Sequence, residues 1–214
     1  MMLPVFFRNG GLVRIFSKFY ISVFSLVAIV LAFACDFSLY TLLVFVSILV
    51  HELSHVIAIN ICGARIIRTV VYPFGIDLVC NMSALSSMKE LVCVVSGSCG
   101  NFVMSGIMYF CFTKYDERWM LFFCICCLVV GAANLVPFST FDGGKALSLM
   151  LCTFLLPDSV YAISKFVDVV CMGFLFISGL CFLDLAGFNM SLSVSFLYSA
   201  LSCFLFGLYK KRYI

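Results

Sequence analysis

Residues 39–62 read LYTLLVFVSILVHELSHVIAINIC, and the segment His51-Glu52-Leu53-Ser54-His55 lies inside this apolar run. The run exceeds the roughly 20 residues that span a hydrocarbon core. In a helix, His51 and His55 share one face and can reach one metal ion, while Glu52 can reach a water bound to it. A charge at membrane depth costs roughly 2.5–3.5 kcal/mol on insertion scales. Since the chain has only 2 His, we interpret the segment as a zinc site rather than a structural polar cluster.

The composition is that of a membrane protein. Hydrophobic residues make up 64% of the chain and charged residues 11%. In soluble domains, about 45–50% of the residues are apolar and about 25% are charged. This excludes a soluble enzyme, a nucleic-acid binder and a disordered chain. The 13 Cys are an odd number and most lie in apolar runs, which argues against a secreted disulfide framework. We interpret the Cys124-x-x-Cys127 pair as packed thiols.

The apolar runs predict an all-α polytopic membrane protein that forms a single membrane domain over residues 1–214. Charges and turn residues divide the chain into six spans. A shorter run, 146–156, is too short to span and is predicted to be a half-helix or an interfacial segment. The six predicted spans are 19–35, 39–62, 91–112, 119–138, 166–183 and 188–208.

The distribution of basic residues predicts the orientation. Lys and Arg accumulate in short cytosolic segments, and with both termini in the cytosol only Lys114 and Arg118 of the 13 basic residues fall outside. We therefore expect the helix of residues 39–62 to enter from the outside and end in the cytosol. The cytosolic set is Arg8, Arg14, Lys18, Arg65, Arg68, Lys89, Lys145, Lys165, Lys210, Lys211 and Arg212.

A catalytic zinc ion usually has three protein ligands and an open position for water, so a third ligand is needed. Asp142 is favoured because it precedes Gly143-Gly144 and follows Pro137, which together predict irregular backbone next to a polar cavity. A straight fourth helix would carry Asp142 past the depth of the His pair. The helix must therefore break near 134–137, and the chain must return toward that depth. The alternatives are Asp77, Glu90, Asp168 or a Cys.

Two separated motifs resemble the site-2 protease family of intramembrane zinc metalloproteases. One is the His-Glu-x-x-His pattern at 51–55, and the other is N-x-x-P-x-x-x-x-D-G-G at 134–144. The resemblance covers about residues 40–156 and implies a three-helix metalloprotease core at about 39–156. It implies that His51, His55 and Asp142 bind zinc, with Glu52 as the general base. It also implies that Asn134 helps to hold substrate, and Pro137 lies in the same motif. Position 54 is Ser where the family commonly has Gly.

The chain is most similar to the sporulation members of this family, which process pro-sigma-K. The similarity rests on the six spans and on Pro73-Phe74-Gly75. It implies a membrane around the forespore, facing the mother-cell cytosol, with possible membrane-protein inhibitors as partners and no nucleic acid. We expect the chain to lack the nucleotide-binding CBS domain of many sporulation members.

Residues 66–71 are rich in β-branched types and predict a short cytosolic-side β-hairpin with the Pro-Phe-Gly turn. Its edge, at Ile67 and Thr69, is predicted to present the substrate as an added strand. An ordinary amphipathic loop is the alternative.

Three other functions remain as alternatives. The protein could be a site-2 protease for a transmembrane anti-sigma factor, a catalytically silent scaffold, or a metal transporter that uses the same His pair. A silent scaffold is expected to lose Glu52 or a ligand, and the sequence retains them. A transporter is expected to carry polar residues along several helices, whereas spans three, five and six carry few beyond Ser.

Overall fold

The computed structural model describes residues 12–16, 19–22, 25–27, 30, 33–34, 37–72, 75–81 and 85–185. The chain forms two compact units, Met1–Ala132 and Ala133–Ile214. The predicted sixth span, 188–208, and both charged ends of the chain lie outside the described residues. The single-domain organisation stays a prediction.

The first unit contains four strands and most of three helices. The strands are β1 (Leu12–Phe16), β2 (Phe19–Ser22), β3 (Arg65–Tyr72) and β4 (Gly75–Asn81). The helices are α1 (Leu39–Cys62), α2 (Ser87–Tyr115) and α3 (Arg118–Asn134), whose last turn crosses the boundary between the units. The second unit contains α4 (Asp142–Cys152) and α5 (Pro157–Leu185).

Local signals explain where α1 begins and ends. Ser38 is its N-cap, and the Ser38 Oγ accepts a hydrogen bond from the Thr41 backbone N–H at 3.3 Å. Gly63 ends the helix with φ +85°, a left-handed conformation that glycine adopts at little cost. The helix therefore has the 39–62 bounds that the sequence predicts.

Helices α1 and α2 are long and apolar enough to cross a membrane, with mean hydropathies of 2.1 and 1.6. Only 28% of the most apolar 18-residue stretch of each helix is buried. The core helix of a soluble protein would be mostly buried, so the outward apolar faces of α1 and α2 favour a membrane protein. The six-span layout stays a prediction.

The four strands form one sheet in the order β1-β2-β3-β4. β3 and β4 pair antiparallel, which confirms the predicted hairpin. On its other side, β3 pairs in parallel with β2, where Tyr20 lies opposite Val70. The sequence-based fold class was therefore incomplete, because this four-stranded sheet is added to the helices.

The predicted substrate edge was wrong in position. Thr69 pairs with Phe19 of β2 and with Leu78 of β4, so it lies inside the sheet. Ile67 lies at an irregularity in the β3–β4 register, between Ile66 and Arg68, and is 53% exposed. Among the described strands, β1 and β4 form the edges of the sheet.

The predicted first span was wrong at its start. Residues 19–22 form β2 instead of helix, and the described helical residues of this region begin at Ser25. The Ser25 Oγ donates a hydrogen bond to the Val71 carbonyl oxygen at 2.9 Å, which ties this segment to β3. Pairing with β3 therefore decides the structure of a sequence that is also compatible with a helix.

Two apolar clusters form the core of the first unit. Near the start of α1, Leu43 packs with Phe123 and Cys127 of α3. Near its end, Ile59 and Ala64 pack with Cys93 of α2 and with partly buried side chains of the hairpin. Cys124 and Cys127 are free thiols and are buried, as expected for packed thiols.

Candidate metal centre

The site in the first unit lies on the buried faces of α1 and α2. The buried residues of α1 recur every fourth position, which places them on a single face. The face of α2 that is buried carries small and polar side chains. These two sets are Leu43, Ser47, His51, His55 and Ile59 on α1, and Cys93, Gly97, Ser98, Asn101 and Ser105 on α2.

The two His side chains lie against each other in this buried face. His51 is 4% exposed and His55 is 8% exposed. Their Nε2 atoms are 3.2 Å apart. Two nitrogens that each bind a tetrahedral zinc ion at 2.0–2.1 Å would be about 3.3 Å apart, so the spacing suits a shared metal ion.

The backbone of α2 fixes the protonation of His55. Its Nδ1 lies 2.8 Å from the Cys93 carbonyl oxygen, and the Ser96 Oγ lies 3.2 Å from the same nitrogen. A carbonyl oxygen can only accept, so the Nδ1 of neutral His55 carries the proton and its Nε2 carries the lone pair. Metal-binding His residues are usually held in this way. The residues present therefore fit a zinc ion.

Glycine residues of α2 allow this close approach. A Cβ at position 97 would lie 2.7 Å from the His51 Nε2 and closer still to the His55 Nε2. A Cβ at position 100 would collide with the Ser54 side chain. Ser54 in turn donates a hydrogen bond to the Val50 carbonyl oxygen at 2.7 Å. Gly97 thus leaves the space for the His pair, and Gly100 leaves the space for Ser54.

We expect Gly100→Ala to destabilise the protein by roughly 1–3 kcal/mol through overpacking. Ser54→Gly removes the side chain that the new methyl group meets, so the Ser54→Gly/Gly100→Ala double variant should recover most of that loss. The measurement is the free energy of unfolding in detergent. Equal stability of the Gly100→Ala single variant and the double variant would contradict this packing.

The predicted general base, Glu52, is half-buried and follows His51 in α1. Of the alternative ligands, Glu90 is half-buried in the first turn of α2, and Asp77 lies in β4, opposite Val70. The predicted substrate residues Ile67 and Thr69 lie in β3. Sequence analysis missed Gly97 and Asn101.

The second unit presents Asp142 at the beginning of a helix. Asp142 is the first residue of α4 and is 6% exposed. The helix dipole favours its negative charge at this position, and its Oδ1 forms an ion pair with the Lys145 Nζ at 3.0 Å. Asp168 instead accepts a hydrogen bond from the Ser139 backbone N–H at 2.8 Å. Asp142 therefore lies buried as a ligand would, while Asp168 holds a loop.

The connection before Asp142 explains its placement. α3 ends at Asn134, which is half-buried, and Pro137 is exposed in the turn that follows. A Cβ at Gly143 or Gly144 would collide with the backbone at Leu135 or Phe138. The predicted break at 134–137 is therefore confirmed. The half-helix was predicted four residues too late, because it begins at Asp142 and ends at Cys152.

Among the described residues, the buried side chains of types that bind metal ions include His51 and His55 in the first unit and Asp142 in the second. The fold and these residues define a protein with two candidate membrane helices and a candidate metal centre. No protein-family model and no curated protein sequence matches the chain.

The fold is similar to that of a solved structure, the site-2 protease from Methanocaldococcus jannaschii. The TM-score is 0.65, and the alignment covers 90% of this chain and 93% of the archaeal chain. The two sequences are 18% identical. The similarity shows that the chain has the fold of this site-2 protease.

Proposed function

We propose that this protein is an intramembrane zinc metalloprotease of the site-2 protease type. The observation that carries the proposal is the buried His pair with its two Nε2 atoms 3.2 Å apart, next to Glu52 and within a site-2 protease fold. A soluble zinc peptidase uses the same His-Glu-x-x-His arrangement on a helix. The reaction is the hydrolysis of a peptide bond in a membrane-associated protein.

The residues of the chain divide the chemistry between them. A bound zinc ion would polarise the scissile carbonyl and lower the pKa of its water to about 7. Glu52 accepts a proton from the attacking water and returns it to the leaving amine. His51 and His55 would hold the metal through their Nε2 atoms.

We propose Asp142 as the third ligand, because it is buried and begins a helix that the Gly143-Gly144 pair seats on its own loop. We propose Asn134 and Pro137, at the end of α3 and in the following turn, as parts of the substrate cavity. Lys145 forms an ion pair with Asp142 on α4.

Asp142→Asn is expected to lower zinc affinity by more than the roughly 10–100-fold typical of an outer-shell partner, because a neutral amide is a poorer ligand than a carboxylate. Zinc content of the purified protein, measured by chelator competition, provides the test. The matched control is Asp168→Asn, which should retain zinc. If Asp142→Asn keeps stoichiometric zinc while Asp77→Asn or Glu90→Gln loses it, the third ligand is assigned to the wrong residue.

We propose that the substrate adds to the sheet at the outer edge of β4. β3 is paired on both sides at Thr69, and β1 and β4 are the outer strands of the described sheet. β4 is favoured because the hairpin packs on the cluster at the end of α1, through Ile66 and Leu78. An extended peptide gains backbone hydrogen bonds at such an edge.

A photo-cross-linking residue at Val79, in β4, should capture substrate, and the same residue at Val13, in β1, should not. Zinc content measured on both variants shows whether both are folded, so that loss of folding in one of them is recognised. Capture at Val13 alone would move the substrate to the β1 edge.

We propose pro-sigma-K as the substrate, on the basis of the layout that resembles stage IV sporulation protein FB. The corresponding location is the membrane around the forespore, with both termini in the mother-cell cytosol. Co-expression with pro-sigma-K, and separately with a transmembrane anti-sigma factor, tests this. Cleavage of the anti-sigma factor alone would retain the protease and reject the sporulation role. Zinc binding without cleavage of either substrate would favour a silent scaffold.

A further inference from the structure

Asn101 is a polar residue of the site that the proposed chemistry does not use. It is 0% exposed in the middle of α2. Its Nδ2 lies 3.5 Å from the His51 Nδ1, and its Oδ1 is buried without a hydrogen-bond partner among the described residues. A buried acceptor without a partner typically costs about 1–3 kcal/mol. The buried Oδ1 of Asn101, which lacks a partner next to the proposed metal ligand His51, therefore requires a physical explanation.

The chemistry of metal binding supplies one. An imidazole that binds a metal through Nε2 must carry its proton on Nδ1 while it stays neutral. That N–H then requires an acceptor, as the Cys93 carbonyl oxygen provides for His55 at 2.8 Å. For His51, the Asn101 Nδ2 cannot accept, but the Oδ1 of the same amide can. A turn of the amide by about 180° exchanges these two atoms, which have nearly the same shape.

We propose that Asn101 is a positioning residue that turns its Oδ1 toward the His51 Nδ1–H and so holds His51 in its metal-binding tautomer. This inference rests on the proposed function. The turned amide gives the Oδ1 a partner and moves the Nδ2 to the position that the Oδ1 held. Asn suits the position because its Nδ2 can donate to an unprotonated Nδ1 of His51. Its Oδ1 can accept from a protonated Nδ1.

Zinc affinity separates hydrogen bonding from packing. Asn101→Leu keeps the size of the side chain but has no acceptor, and it should weaken zinc binding about 10–100-fold. Asn101→Asp keeps an acceptor and should bind zinc at least as tightly as the wild-type protein. The matched control is Asn60→Leu, which makes the same substitution at an exposed position of α1 outside the buried face. It should leave the affinity unchanged.

Two results would overturn the proposal. One is wild-type affinity in Asn101→Leu, and the other is equal weakening in Asn101→Leu and Asn101→Asp, which would indicate packing alone. If Asn101→Leu does not fold, the affinity of Asn101→Asp decides, and a loss of affinity in that variant rejects the role.

Nitrogen NMR provides a readout that needs no cleavage. The chain has only 2 His, so protein labelled with ¹⁵N-histidine shows two imidazoles, and His51→Gln assigns them. In metal-free Asn101→Asp the Nδ1 of His51 should be protonated, whereas Asn101→Leu should lose this preference. His55 should keep a protonated Nδ1 in both variants. Unchanged His51 signals in both variants would reject the contact. If wild-type protein binds no zinc, the proposed function fails, and the NMR result still decides the contact.

Discussion

Glu52→Gln is expected to keep wild-type zinc content and to lower the rate of substrate cleavage by roughly 100- to 10,000-fold, the usual contribution of a general base. The amide has nearly the size and shape of the carboxylate, so α1 and the His pair should not change. It cannot accept the proton of the attacking water, because an amide nitrogen only donates and its oxygen is a weak base. The effect should therefore fall on the chemical step and not on the metal.

The measurements are bound zinc and the rate of cleavage in the same preparation. Glu90→Gln is a matched control, since Glu90 is also half-buried and lies in a helix of the same unit. It should cleave at the wild-type rate. Activity near wild type in Glu52→Gln with a full complement of zinc would remove Glu52 from the mechanism.

Much of this site could be predicted from the sequence because its parts are local. His51 and His55 are separated by one helical turn, so their common face follows from helix geometry. Beyond this prediction, the structure shows that the shared face is buried against α2. The break between Asn134 and Asp142 was also readable, because Pro137 and Gly143-Gly144 act on the backbone where they stand.

The sheet was less predictable because its pairing is not local. Residues 19–22 are apolar and aromatic, which suits either the beginning of a span or a strand. β2 becomes a strand by pairing in parallel with β3, about fifty residues later in the chain. No local pattern encodes that partner, and the same pairing removed Thr69 from the edge at which substrate was expected.

Gly97 and Asn101 were missed although the sequence contained a signal. An Asn inside an apolar span is costly and indicates a functional contact. Asn101 lies in span three, which the sequence analysis describes as carrying few polar residues beyond Ser. A glycine within a helix also lowers stability, so Gly97 and Gly100 indicated a close approach. The partners of both glycines, on α1, became evident only from the packing of the two helices.

Gly97→Ala is expected to prevent stoichiometric zinc binding and to abolish cleavage. The added Cβ would lie 2.7 Å from the His51 Nε2 and closer to the His55 Nε2, the two atoms proposed to hold the metal. Either the imidazoles turn away, or α1 and α2 separate and lose the 2.8 Å contact between the His55 Nδ1 and the Cys93 carbonyl oxygen. Both responses destroy the spacing of the Nε2 atoms, and the second should also cost roughly 1–3 kcal/mol of stability.

Gly106→Ala is the control for this change, because it makes the same substitution on α2 at a position where a Cβ meets nothing within 4 Å. It should retain zinc and activity, and its stability should rise slightly because alanine favours the helix. Zinc content, cleavage rate and unfolding free energy, measured on both variants, separate metal loss from unfolding. A Gly97→Ala protein that binds zinc and cleaves like the wild type would show that α2 does not approach the His pair as closely as described.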